Sequence, residues 1–274
     1  PVPLFVDFDE HGVFPVSLNN FDVKTMKEFY HVVVISMPKT PLIATDKNLN
    51  KSYSYVTDSS IQNSYAKEYL EADYLNNYVK RANHVLRFLK KQDWVDNSKL
   101  VVAGHSQGSR IAVELATVNK NISQIGLFGY NPLRRIDGVI YNYRIAAQQG
   151  QQSWEEVDSL QNQYYVFFNE FQDEELLKND ATLRSWKSFS TNSINELLSL
   201  KIPIYIANGS NDYATFYCDL LPLYFTEKEK NNLTLKRYPN LEHNFFEVDE
   251  NGNVNYSHGH WSEVMNEFIK WSAN

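Results

Sequence analysis

Residues Gly104-His105-Ser106-Gln107-Gly108 spell G-x-S-x-G. A serine hydroxyl is a poor nucleophile at its own pKa and attacks only when a neighbouring base takes its proton. The pentapeptide has a mechanical reason. A serine on a sharp, strained turn between a strand and a helix stands above the sheet edge, and flanking glycines let neighbouring backbone approach. Residues 99–103, apolar after Lys99, predict a strand running into Gly104, and 107–118 predict the helix that leaves the turn. The N–H of Gln107 would then point at the same spot as the hydroxyl, where a developing oxyanion could be held. The bland alternative is an ordinary glycine-rich strand-to-helix turn.

A base for Ser106 must come from His11, His31, His84, His105, His243, His258 or His260. In an open parallel sheet, chemistry gathers beyond the C-terminal ends of the strands. His31 precedes an expected strand, His84 falls in mid-helix, and His105 belongs to the turn and is expected to face away from the serine. His243 comes five residues after Tyr238, in the loop following the last expected strand of the sheet, and is the expected base. His258 and His260 are the competing bases; as His-x-His they would suggest a metal only with a third ligand. The partner of the base should be a carboxylate that accepts the other imidazole N–H and fixes the tautomer. Asp212 suits this, lying in Ala207-Asn208-Gly209-Ser210-Asn211-Asp212 after a strand and before an aromatic-rich helix. Asp219 competes, but its setting reads as helical, and a solvated loop aspartate is the bland reading of Asp212. The chain order nucleophile, acid, base, each just after an expected strand, differs from the chymotrypsin and subtilisin orders.

Those loops need a scaffold. Short β-branched runs alternate with helical patterns, the habit of an α/β fold with a mostly parallel sheet flanked by helices. Strands are expected at 2–8, 31–37, 99–103, 122–130, 202–207 and 233–238. Helices are expected at 22–30, opened by an Asp cap, then at 107–118 and 261–271. Over 65–91 the residues Tyr74, Leu75, Tyr78, Val79, Ala82, Val85, Leu86 and Leu89 recur at three- and four-residue steps, one face of an amphipathic helix. Residues 39–64 read as a long polar surface excursion. Between the fourth and fifth strands lies a mainly helical stretch carrying Tyr141, Tyr143, Trp154, Tyr164, Tyr165, Phe167, Phe168, Phe171 and Trp186. Its ends do not look like linkers, so the expected organisation is a core in two parts, 1–132 and 201–274, with a helical cap over 133–200. Each of those aromatics is more readily explained as packing than as a substrate contact.

Composition narrows the partners. The chain has 274 residues and a formal net charge of −7, with no basic run, which argues against nucleic acid or an anionic membrane. The longest apolar stretches, such as 32–37, reach about six residues against the roughly 20 that span a bilayer, so no membrane span is expected and the chain reads as soluble. A single cysteine, Cys218, excludes an internal disulfide framework and a multi-cysteine zinc site. Low cysteine fits the cytosol and a bacterial periplasm equally. The chain opens at Pro1, as a processed or trimmed product would.

Taken together, Gly104 to Gly108, Gly209 to Asp212, and Leu241-Glu242-His243-Asn244-Phe245-Phe246 resemble the α/β-hydrolase superfamily, more narrowly its esterase, dienelactone-hydrolase-like and serine-peptidase-like branches. The resemblance runs over nearly the whole chain. It implies a Ser106–Asp212–His243 triad and an oxyanion hole with the N–H of Gln107 as one donor. The second donor would come from Asp9-Glu10-His11-Gly12-Val13, through the backbone of Glu10 or His11; Gly12 stands alone there, where the family carries a glycine pair or triplet. It further implies cleavage of a small-molecule ester, or a related acyl or short peptide bond, through an acyl-enzyme, with no cofactor and no metal. Serine peptidase and thioesterase chemistry use the same residues, and a non-catalytic binding protein of the same fold is the competing class.

Overall fold

The computed structural model describes residues 1–18, 21–61 and 63–274. They form two compact units, one of Pro1–Val95 with Trp261–Asn274, the other of Asp96–His260.

In the first unit, β1 (Phe5–Asp7) runs antiparallel to β2 (Val13–Pro15) and parallel to β3 (Ile43–Thr45), in the order β2-β1-β3. Val6, Ala44 and Leu49 form its small core, packed by Phe8, Val16 and Tyr55. Helix α1 (Val23–Phe29) starts where the Asp22 carboxylate accepts the Thr25 N–H at 3.1 Å, the expected cap. The C-terminal helix Trp261–Ala273 packs beside it: Phe21 lies on Trp261 with ring centres 5.0 Å apart.

Three expectations change here. Residues 31–37 form no strand; β1 takes β3 as its parallel neighbour instead. Val33 and Val34 are exposed, whereas a parallel strand buries both faces, and the Ser36 carbonyl accepts from the Arg81 guanidinium at 2.7 Å. The polar excursion 39–64 contains β3, whose three residues alternate exposed, buried, exposed, too few for the period to register. The long helix divides into α2 (Lys67–Ala72) and α3 (Leu75–Leu89), because the chain turns at Asp73, which accepts the Tyr78 hydroxyl at 2.8 Å. The apolar face runs on through the break, with Tyr69, Leu75, Val79 and Ala82 buried.

The second unit is built on four parallel strands in sequence order: β4 (Leu100–His105), β5 (Ile122–Phe128), β6 (Ile204–Gly209) and β7 (Leu233–Tyr238). Every residue of β6 is buried, as befits a strand covered on both faces. Helix α4 (Gln107–Val118) links β4 to β5 and turns Ala112, Val113, Leu115 and Ala116 inward. Between β5 and β6 come α5 (Arg135–Gln148), α6 (Trp154–Glu170), α7 (Glu174–Asn179), α8 (Ala181–Phe189) and α9 (Ile194–Ser199). Ser153 and Glu156 close a capping box at the start of α6. The aromatic residues of this stretch largely meet one another: Tyr164 touches Tyr143, Phe167 and Trp186, and Phe171 touches Phe167 and Phe168. Helices α10 (Thr215–Asp219) and α11 (Leu221–Glu227) lead into β7. A hairpin of β8 (Phe246–Val248) and β9 (Val254–Gly259), which the periodicity did not signal, closes the unit. Among the described residues no helix is long and apolar enough to cross a membrane.

Candidate active site

Strand β4 ends at His105 and α4 begins at Gln107, so Ser106 alone turns the chain. Its φ of 53° and ψ of −117° lie where an L-residue is strained, at a cost of about 1–3 kcal/mol. Neighbours hold it there: the Ser106 N–H donates to the Phe128 carbonyl at 2.8 Å, and the Ser109 N–H to the Ser106 carbonyl at 3.1 Å. The two glycines of the motif are not equivalent. A methyl on Gly104 would lie 2.1 Å from the Gly108 carbonyl oxygen, so that glycine is required, while one on Gly108 would meet nothing within 4 Å. The expectation that both flanking residues must lack side chains therefore holds only for the first.

The loops after β6 and β7 are tied together by main chain. The Asn211 N–H donates to the Leu241 carbonyl at 2.9 Å and the Ser210 N–H to the Tyr238 carbonyl at 2.8 Å. Gly209 allows this approach, since a side chain there would begin 2.2 Å from the Leu241 oxygen. The base loop is folded on Glu242, whose carboxylate accepts the N–H groups of Asn244 at 2.7 Å and Phe246 at 3.1 Å.

Three side chains thereby converge. His243 Nε2 lies 2.9 Å from Ser106 Oγ, and His243 Nδ1 lies 2.9 Å from Asp212 Oδ2. The Asp212 side chain is fully buried, and its other oxygen accepts the Ala214 N–H at 2.9 Å. A carboxylate only accepts, so Nδ1 carries the proton and Nε2 offers its lone pair to the serine hydroxyl. Burial disfavours a charged His243, but the hydrogen bond and charge of Asp212, with Glu242 adding to them, hold its pKa above the ordinary 6.5. Tyr213 stacks beside the imidazole, ring centres 6.0 Å apart and planes at 19°.

The other candidates fall elsewhere. Asp219 ends α10 and pairs with Arg237 at 2.5 Å. His31 packs on Trp94, and His84 lies in α3. His258 and His260 both reach Glu247, each at 3.0 Å but on different carboxylate oxygens, so the carboxylate stands between them. Among the described residues no group of three or more His, Cys, Asp or Glu side chains is arranged to hold a metal ion. Glu10 and His11 form, with Asp9, a single 3-10 turn of the first unit; the His11 N–H is given to the Phe8 carbonyl at 2.9 Å, and Asp9 pairs with Lys47 at 2.7 Å. His105, expected to face away from Ser106, packs its ring 5.0 Å from that of His243.

One residue escaped the sequence reading. Arg135, at the start of α5, donates to the Gln107 side-chain oxygen at 2.8 Å, and its guanidinium lies 5.1 Å from the ring centres of both Trp186 and Phe189. The helices between β5 and β6 are thus fastened to the residue that follows Ser106. Its only signal was a basic pair, Arg134-Arg135, just after the fourth strand.

Four parallel strands in sequence order, a strained serine between β4 and its helix, an aspartate after β6 and a histidine after β7 are thus brought together. The fold of this unit is α/β, a parallel sheet flanked by helices. Among solved structures the chain is similar to the monoacylglycerol lipase of Paleococcus ferrophilus, with 13% identity over 74% of this chain and 76% of that one and a TM-score of 0.45. It is similar to MGS-M2, an α/β hydrolase from a Medee basin deep-sea metagenome library, with 19% identity over 77% of this chain and 74% of that one and a TM-score of 0.42. A structure from work on carboxylesterases of the thaumarchaeon Nitrososphaera gargenis is similar as well, with 12% identity over 73% of this chain and 72% of that one and a TM-score of 0.43. No protein-family model matches the chain, and no curated protein sequence does either.

Proposed function

We propose that this protein is a serine hydrolase that cleaves a carboxylic ester through an acyl-enzyme, with Ser106 as nucleophile, His243 as general base and acid, and Asp212 orienting the imidazole. One observation carries the reading: an unbroken relay from Ser106 Oγ to His243 Nε2 and from His243 Nδ1 to Asp212 Oδ2, each link 2.9 Å. In the first half-reaction Ser106 Oγ bonds to the ester carbonyl carbon as its proton passes to His243 Nε2. The carbonyl π pair moves onto oxygen, where the N–H of Gln107 at the head of α4 is suited to hold it. The buried carboxylate of Asp212 stabilises the imidazolium without taking its proton. The intermediate collapses, the bond to the leaving oxygen breaks, and Nε2 returns the proton to the departing alcohol. Water repeats the sequence on the acyl-Ser106 ester, regenerating the hydroxyl and releasing the acid. Each step uses the chain's own side chains and water.

The aromatic residues between β5 and β6 suit an apolar acyl or alcohol group, although most of them are engaged with one another. The first organisation to test is a core of 1–132 and 201–274 with 133–200 as its cap.

The test is covalent labelling with a fluorophosphonate, alongside turnover of p-nitrophenyl esters of increasing chain length and of aminoacyl amides. The expected outcome is one label per chain, on Ser106, absent from Ser106→Ala, with ester turnover exceeding amide turnover. Amide turnover in excess would make the protein a peptidase. A well-folded protein that neither labels nor turns over any of these substrates would sink the hydrolase reading and favour a binding role.

A further inference from the structure

His105 is spent by the motif as a spacer, yet its ring is committed to the catalytic base. Its Nε2 lies 2.9 Å from the His243 backbone carbonyl oxygen, and its ring centre lies 5.0 Å from that of His243 and 6.4 Å from that of Phe245. A carbonyl can only accept, so Nε2 carries the hydrogen and the neutral ring leaves its lone pair on Nδ1. Burial supports the neutral form, pushing the pKa down to about 4. A charged ring here would oppose the imidazolium that His243 becomes during turnover; a neutral donor does not.

A second feature completes the seat. Gly129, the residue after β5, has a φ of +53°, and a methyl group there would lie 2.9 Å from His243 Cε1, 3.0 Å from His105 Nε2 and 3.1 Å from His243 Nδ1. Two imidazoles therefore rest on one bare stretch of backbone, and the Gly129 N–H is itself fixed on the Ala207 carbonyl at 3.0 Å. Asp212 and Ser106 grip the His243 ring by its two nitrogens, but neither holds the main chain from which that ring projects.

We infer that His105 is a positioning residue for the base: its Nε2–H pins the His243 carbonyl, and so holds the imidazole against Gly129 and in line between Asp212 and Ser106. This rests on the proposed roles of Ser106 and His243. It adds a member that touches no substrate and acts wholly through the base.

The experiment compares wild type, His105→Phe and His105→Gln with p-nitrophenyl butyrate, the number of working sites being counted by fluorophosphonate titration. Phenylalanine keeps a ring of similar size without the donor, while glutamine places an N–H near the position of Nε2. The expected result is a kcat per titrated site lowered about 10- to 100-fold in His105→Phe, the scale of a small misplacement of a reacting group. KM changes little, and His105→Gln recovers most of the loss. In proton NMR spectra the downfield Nδ1–H signal of His243 should broaden or vanish in His105→Phe and persist in His105→Gln. If His105→Phe does not fold, His105→Asn, whose shorter side chain stops short of the carbonyl, takes its place. Unchanged kcat per site in the donor-less variant, equal impairment of it and His105→Gln, or a loss confined to KM would each overturn the inference. A wild type that cannot be titrated at all would instead sink the hydrolase reading, while the NMR comparison would still judge the seat.

Discussion

The rim of the parallel sheet and the helices between β5 and β6 are held by different kinds of contact. At the rim, main chain bonds main chain: Ser106 to Phe128, Asn211 to Leu241, Ser210 to Tyr238, Gly129 to Ala207. Such bonds have little freedom once the strands are in register, so the side chains projecting from them inherit a fixed geometry. In the helical stretch many contacts are ring on ring, with the Arg135 guanidinium near both Trp186 and Phe189. Rings can slide by a few tenths of an ångström without losing contact, because dispersion is spread over many weak pairs. The rim is built to keep three atoms in line, and the helices are built to tolerate change. Substitutions should therefore divide sharply between the two regions.

The largest effect falls on the acid. Asp212→Asn can offer an N–H where His243 Nδ1 now donates, which selects the wrong tautomer while keeping the shape. We expect kcat to fall about 10⁴-fold with the fold intact, measured by ester turnover and by circular dichroism. The same variant reads the pH dependence. In the proposed mechanism His243 must be neutral to take the serine proton, and Asp212 and Glu242 favour its protonated form, so wild-type kcat/KM should rise with pH through a midpoint above 6.5 and then level off. In Asp212→Asn the midpoint of the residual activity should move down, since the hydrogen bond and charge that raise it are gone while the burial that lowers it stays. A midpoint that does not move would separate Asp212 from the base.

A single methyl group tests the rim more gently. Gly209→Ala places a carbon about where the Leu241 carbonyl now approaches, at 2.2 Å, and neither piece of backbone can yield without breaking the bonds between the loops. We expect about 1–3 kcal/mol of lost stability from the overpacking. Because the shift separates Asp212 from His243, the proposed acid and base, kcat should also fall about 10²-fold. Thermal unfolding and kinetics on the same preparation check both; a variant with wild-type kcat would show that the rim is softer than its hydrogen bonds imply.

What was legible in the sequence follows the same division. Ser106, Asp212 and His243 could be read because each loop follows a stretch that reads as a strand, plainly in β4 and β6 and more faintly in β7, and because glycines mark places where chains must touch. Gly209 is informative for that reason, and Gly104 more so than Gly108. The missed elements lacked any such mark. Strands β3 and β8 are three residues long, too short for their alternation to register, and β9 is largely exposed and carries no apolar run. The run 31–37 deceived because β-branched residues signal an extended backbone, whereas a strand also needs a partner, and partners are set by tertiary structure. His105 and Arg135 act across 138 and 28 residues of sequence, through single hydrogen bonds that no local pattern encodes.

The smallest effect belongs to a place where the two regions meet through a side chain, Arg135 on Gln107. Arg135→Met removes the bond to the Gln107 side chain and the charge lying over Trp186 and Phe189, but leaves the backbone of Gln107 in the first turn of α4. The proposed oxyanion donor is therefore disturbed only through its side chain, and kcat should fall no more than about tenfold, well below the loss expected when a donor is removed outright. The loosened helices should show instead in KM, and more for long acyl chains than for acetate, because only a long chain would reach residues fastened by Arg135. Lysine should not restore the wild-type values, since a compact ammonium cannot match a planar guanidinium that serves two rings and a hydrogen bond at once. Steady-state kinetics across a series of p-nitrophenyl esters decides it. A uniform loss of kcat at every chain length would mean that Arg135 serves the oxyanion donor after all, and that the helices between β5 and β6 belong to the rigid part of the molecule.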